Sequence, residues 1–132
     1  MTYEQFICSL CLWREARGAS QAAKAAILAV IRNRSQDARN RWPKTLLGVI
    51  LQPLQFSSFN ANDPNASKLP NPLQAVDWLA FQDCMVVVKA PLTADPTQGA
   101  TNYESCAVGE LPAWADPAKL TTTIGPFRFY KL

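Results

Sequence analysis

Histidine is absent from the 132 residues. That excludes Ser-His-Asp hydrolases, Cys-His proteases, and zinc peptidases or amidases with imidazole ligands. Glycine is scarce, at 5 residues, and neither G-x-x-x-x-G-K-[ST] nor G-x-G-x-x-G occurs, so nucleotide chemistry has no support. No apolar run approaches the ~18 residues a membrane span requires, and no stable membrane insertion is expected. Cysteine numbers only four: Cys8, Cys11, Cys84 and Cys106. Cys8 and Cys11 form a C-x-x-C, but inside an apolar helical pattern without the βαβ context of a redox motif. A zinc site would need all four thiols, and Cys84 and Cys106 lack ligand-type spacing. Buried free thiols are expected instead, with no metal and no cofactor. What remains for an enzyme is mainly carboxylate acid–base chemistry.

Hydrophobic residues make up 48% and charged residues 17%, the composition of a folded globular chain. The length suits one domain, 1–132, with no repeats and no convincing linker. Net charge is +3, unevenly spread: residues 1–60 hold eight basic and three acidic side chains, residues 61–132 five and seven. A basic first half suits a polyanionic partner, and scattered surface charge explains it nearly as well. The N-terminal stretch "MTYEQFICSL" lacks a basic n-region and a small-residue cleavage site, so it does not read as a signal peptide.

Along the chain, Thr2 and Gln5 form a capping box for a helix reaching about Arg17, with Gly18 as its stop. Residues 6–13, "FICSLCLW", are apolar on every side but Ser9, the mark of a buried helix. Ser20 caps a second helix whose Ala23, Ala26, Ile27, Val30 and Ile31 share one face. Pro43 opens a third, short helix, "PKTLLGVILQ", ended by Pro53. "LQFSSFN" reads as a short strand or loop, and residues 60–72 as an irregular surface loop. A fourth helix spans about 72–89, with Leu73, Val76, Leu79, Ala80, Cys84, Val87 and Val88 facing inward. After Pro91 the pattern breaks into turns, and "LTTTIGPFRFYKL" ends in a short strand. The expected class is α+β, mostly helical with a small, loop-rich β element.

Glu15, in "CLWREARGAS", carries the chemical interest. Its i−4, i−3 and i−7 neighbours are Cys11, Leu12 and Cys8, so it continues an apolar face, while Arg14 and Arg17 point elsewhere. Desolvation at the mouth of a buried helix raises a carboxyl pKa, and the C-terminal end of the helix dipole acts in the same sense. A general acid needs that environment. On this stretch alone, a solvated last-turn glutamate stands equally open.

Six blocks decide between the two: "WREARG", "ILAVIRNR", "WPKTLLGVILQPLQFS", "DPTQGATNYE", "LPAW" and "IGPFRFYKL". In this order and spacing they resemble the SleB-type cell-wall hydrolases, over about Leu12 to Tyr130. The resemblance implies a lysozyme-like fold, cleavage of the MurNAc–GlcNAc β-1,4 bond of peptidoglycan, and the family's catalytic glutamate at Glu15. It favours lytic transglycosylation, which needs one acid/base carboxyl, over a hydrolytic muramidase, which commonly uses a second carboxylate. Asp95 and Glu104 are the motif-borne candidates for such a second group. Asp95, before Pro96-Thr97, reads better as a turn former, and Glu104 is given no base role. Many relatives carry a glycine before the glutamate, a further acid after the motif, and histidines in the last blocks. Here Arg14, Ala19, Asn102 and "GPFRF" stand there.

For the glycan groove the resemblance nominates Gln55, Phe56 and Ser57 on one side and Thr97, Gly99, Ala100, Thr101, Asn102 and Tyr103 on the other. Tyr103 and Trp114 suit sugar stacking, although core packing is the commoner fate of one aromatic. Phe129 and Tyr130 are expected beneath the site, and Asn33 to tie a helix end to a loop. The whole is expected to be a monomeric catalytic domain without a separate wall-binding module. A phage endolysin, made in the cytoplasm and released to the wall by a holin, fits that organisation. The competing expectations are a catalytically silent wall-binding or phage structural domain, and, more weakly, a nucleic-acid binder using the basic half.

Overall fold

Thr2 and Gln5 close the expected capping box: the Gln5 amide donates to Thr2 Oγ1 (3.1 Å) and the Thr2 amide to Gln5 Oε1 (3.0 Å). From it runs helix α1, Tyr3–Ala16. The computed structural model describes the whole chain except Leu54, Leu92, Val108 and the side chain of Ser57. Every residue from Ile7 to Trp13 is buried, with the one hydroxyl, Ser9 Oγ, donating to the Gln5 carbonyl at 2.8 Å. α1 is thus the central helix of the fold, packed against all the others. It ends one residue earlier than expected, with Arg17 as its cap in right-handed geometry and the Ala19 amide bonded to the Ala16 carbonyl (2.9 Å). Gly18 is not among the residues at positive φ, so no left-handed glycine stops the helix.

Helix α2, Gln21–Ser35, starts at Ser20, whose Oγ accepts from the Ala23 amide, and buries Ala23, Ala26, Ile27, Val30 and Ile31 as patterned. Helix α3, Leu46–Leu51, begins later than Pro43, because Thr45 takes the cap and accepts from the Gly48 amide. Pro43 instead lies over the first turn: a Cβ on Gly48 would stand 2.6 Å from the Pro43 Cβ. Among its described residues "LQFSSFN" supplies a single 3₁₀ turn, Ser57–Phe59, and no strand.

Helix α4, Ala75–Lys89, is shorter and differently oriented than its pattern suggested. Leu73, Val76 and Leu79 are exposed (92%, 84% and 64%), whereas Phe81, Cys84 and Val87 are buried. The helix is apolar nearly all round, so periodicity does not single out a face. Phe81 turns to the core and meets Phe6 edge-on at 5.9 Å, while the larger Trp78 is only partly buried beside it. Lys24 on α2, only 2% exposed, pairs with Asp83 on α4 at 2.8 Å, and Gln21 donates to the same carboxylate.

The β element has three strands, not one: β1 Asn102–Ser105, β2 Leu120–Ile124 and β3 Phe127–Tyr130, antiparallel in the order β1-β3-β2. Gly125, at φ +56°, makes the hairpin between β2 and β3. β1 falls in a block whose turn-like composition hid it; its pairing with β3, Tyr103 opposite Phe129, defines it as a strand. Cys8, Cys11 and Cys84 are buried free thiols, but Cys106 is exposed, contrary to expectation, where the chain leaves β1. Among the described residues no cluster could hold a metal ion, and no helix is long and apolar enough to cross a membrane.

Candidate active site

Because α1 is buried for most of its length, its last turn opens into a cleft instead of into bulk solvent. The cleft has a volume of about 650 Å³. It is lined by Glu15 of α1, Arg34 of α2, Gln55 and Phe56, all four residues of β1, Trp114 and Phe127.

Glu15 has no ion pair among the described residues. Arg14 turns away and clamps the irregular loop, donating to the carbonyls of Ser58 (3.2 Å), Ala66 (2.9 Å) and Lys68 (2.9 Å) with its guanidinium over Phe59. Arg17 lies over the Trp13 ring. Burial raises the Glu15 pKa above its ordinary value; a hydrogen bond from the Tyr103 hydroxyl opposes this, and the negative charge of Asp63 adds to it. Tyr103 itself is pushed well above the usual phenol range by burial and by the Glu15 charge. The result is a half-buried carboxyl held by one neutral donor and biased toward keeping its proton.

The two candidate second carboxylates are both engaged. Asp95 accepts from the Thr97 amide (2.8 Å), Thr97 Oγ1 (2.7 Å), the Gly99 amide (2.8 Å) and Asn33 Nδ2 (2.8 Å). Burial raises its pKa, but these hydrogen bonds outweigh it and the net shift is downward. Asp95 is a turn organiser outside the Glu15 cleft. Asn33 also donates to the Ala100 carbonyl at 2.8 Å, tying the end of α2 to that turn as expected. Glu104 does line the cleft, but its Oε1 accepts from the Tyr130 hydroxyl (2.7 Å) and pairs with Arg128 Nε (2.9 Å). Tyr130 in turn meets Trp114 edge-on at 5.4 Å.

Of the predicted groove residues, Gln55, Phe56, Asn102, Tyr103 and Trp114 converge on the cleft with Glu15. Thr97, Ala100 and Thr101 do not: they are buried in the Asp95 turn, and Gly99, at φ +86°, lies against the Lys131 side chain. These four shape the approach to β1 without reaching the cleft. The Ser57 side chain lies outside the described residues. Tyr103 packs edge-on against Phe127 and tilted against Phe129 while its hydroxyl bonds Glu15, so it combines packing with a contact to the carboxyl.

Arg34, Asp63, Ser105 and Phe127 escaped the sequence reading. Arg34 carried a signal: with Ile27, Val30 and Ile31 it completes the apolar stripe of α2, an unusual place for a guanidinium. It is 7% exposed, donates to the Thr101 carbonyl (2.6 Å) and Gln55 Oε1 (3.4 Å), and faces the Trp42 and Phe56 rings. Asp63 carried none, since its loop is brought towards Glu15 by long-range contacts, the Arg14 clamp among them.

A small α+β domain thus carries, at the end of a buried helix, a desolvated carboxyl that has no ion pair among the described residues and lines a cleft. The chain belongs to the cell wall hydrolase family, whose model matches residues 18–130. Glu15 precedes the matched stretch by three residues, so its assignment rests on the site geometry and the "WREARG" resemblance. Two solved structures are similar. The catalytic domain of the Bacillus cereus SleB protein is 26% identical with a TM-score of 0.64, over 97% of this chain and 89% of that one. The catalytic domain of a germination-specific lytic transglycosylase, SleB from Bacillus anthracis, is 25% identical with a TM-score of 0.65, over 99% and 97%. Among curated proteins no sequence matches.

Proposed function

We propose that the protein is a peptidoglycan glycosidase that cleaves the MurNAc–GlcNAc β-1,4 bond with Glu15 as its acid/base. The observation that carries this is the state of Glu15: desolvated, without an ion pair among the described residues, and bonded to a neutral phenol inside the cleft. Protonated Glu15 gives its proton to the glycosidic oxygen as the C1–O4 bond breaks. The resulting carboxylate then takes the proton of the C6 hydroxyl as O6 bonds to C1, closing an anhydro ring without consuming water. This lytic transglycosylase course is favoured because Asp95 and Glu104 are both held by other partners. The family and the transglycosylase among the similar structures support it.

A hydrolytic muramidase is the second reading, favoured by one observation: the Asp63 charge is felt at Glu15, so a second carboxylate stands near the acid. Mass spectrometry of purified sacculi after digestion separates the two. Anhydro-muropeptides are expected; reducing MurNAc ends would establish the muramidase. Pelleting with sacculi while releasing no soluble fragment would leave a wall-binding domain and end the glycosidase proposal.

A further inference from the structure

Gln55 lines the cleft, and its amide is held by an unusual pair of neighbours. Trp42 Nε1 donates to Gln55 Oε1 at 3.2 Å, and Arg34 Nη1 donates to the same oxygen at 3.4 Å. Side-chain amides are commonly ambiguous between two orientations, but not here. Indole and guanidinium are donors only, with no lone pair to offer an N–H. Inverting the amide would set donor against donor, so the carbonyl must face Trp42 and Arg34. Both neighbours are themselves fixed: Arg34 is anchored by the Thr101 carbonyl, and the Trp42 ring lies under the guanidinium groups of Arg34 (5.2 Å) and Arg41 (4.5 Å). Oε1 therefore has both lone pairs engaged. The Nε2 amine has no protein partner among the described residues, and the side chain is exposed to the cleft.

We infer that Gln55 is an obligate hydrogen-bond donor of the glycan site, set in that sense by Trp42 and Arg34, and that its acceptor is the acetamido carbonyl of a bound N-acetyl sugar. The inference rests on the glycosidase proposal and adds the group that is recognised. A donor-only position selects poorly among hydroxyls, which can give or take a hydrogen bond. It selects well for a strong acceptor that cannot donate, and the acetamido carbonyl is a far stronger acceptor than the ring and glycosidic ether oxygens of the same sugar. Trp42 is then a positioning residue, acting on substrate only through the orientation of Gln55.

Gln55→Glu tests this, because it keeps the shape and reverses the polarity. One carboxylate oxygen accepts from Trp42 and Arg34 as before, so the thermal midpoint is expected to be unchanged or higher. The other oxygen presents an acceptor where a donor stood. KM on N-acetylated glycan strands should rise about five- to hundredfold, the loss of one hydrogen bond with an acceptor left unpaired, while kcat changes little. On chemically de-N-acetylated strands the wild type should lose a similar factor, restored by re-acetylation. The variant should lose little or prefer the free ammonium. Trp42→Phe should raise KM by a smaller factor, with kcat and the pH–rate profile unmoved. A Gln55→Glu enzyme with wild-type KM, or equal losses by wild type and variant on de-N-acetylation, would overturn the inference while leaving the glycosidase in place. If instead wild type and Glu15→Gln clear sacculi equally, the assignment of Glu15 fails, and if the wild type releases no soluble fragment, the glycosidase proposal itself fails, whatever Gln55 does.

Discussion

Replacing Glu15 by glutamine separates chemistry from structure unusually cleanly. The amide has the volume of the acid and can still accept the Tyr103 hydroxyl, so the cleft wall is preserved. What is lost is the transferable proton. General acid–base groups contribute about 10²- to 10⁴-fold in rate, which is about 3–5 kcal/mol of barrier. One carboxyl serving both proton transfers places the expected loss toward the upper end. Stability should move the other way. Burial raises the Glu15 pKa above its ordinary 4.5, so the fold disfavours the charged form. Its stabilising share is fully present below the unfolded pKa and lost as pH rises through the folded one. The glutamine variant should therefore match the wild type in thermal midpoint at acid pH and exceed it at neutral pH. Turbidity clearing of purified sacculi reads the first effect and calorimetry across pH the second. Clearing within tenfold of wild type would refute the assignment of Glu15. A midpoint lower than wild type at neutral pH would refute the desolvation argument.

Tyr103→Phe and Asp63→Asn should move the alkaline limb of the pH–rate profile in opposite directions. Removing the Tyr103 donor destabilises the Glu15 carboxylate, raising its pKa and carrying the limb to higher pH; removing the Asp63 charge lowers it and carries the limb down. Shifts of the same sign would contradict the site electrostatics. Gly48→Ala drives a methyl to 2.6 Å from Pro43 and 2.9 Å from Thr45 Oγ1, and should cost about 1–3 kcal/mol in denaturant unfolding. A neutral result would mean that Pro43 yields without strain. Glu104→Ala removes the partner of Tyr130 and Arg128 and should loosen Trp114, raising KM more than it lowers kcat. A selective loss of kcat with unchanged KM would instead make Glu104 a participant in the chemistry.

Local rules carried the helices where one cap or one stripe was decisive. Thr2-Gln5 and Ser20 set the starts of α1 and α2, and the all-apolar run of α1 foretold its central place. The same helix explains why Glu15 was legible: a carboxyl at i+3 and i+4 from buried residues must share part of their dry environment. Asp95 was legible too, since an aspartate before Pro-Thr organises its own turn whatever surrounds it.

What escaped the sequence depended on partners distant along the chain. α4 is apolar on most sides, so only its packing could choose Phe81 over Leu79. β1 has no alternation of its own and is a strand because β3 pairs with it. Thr97 and Thr101 sit in the family's motif beside Asn102 and Tyr103, yet burial in the turn keeps them from the cleft. Asp63 approaches Glu15 because Arg14 gathers the carbonyls of its loop, and Gln55 faces the cleft as a donor because two remote donors claim its oxygen. Sequence by itself determined the helix that carries Glu15 and the apolar face the residue continues, both of which follow from neighbours within two turns. Tertiary structure decided the groups around that acid, because long-range contacts are made only when separate segments share one surface.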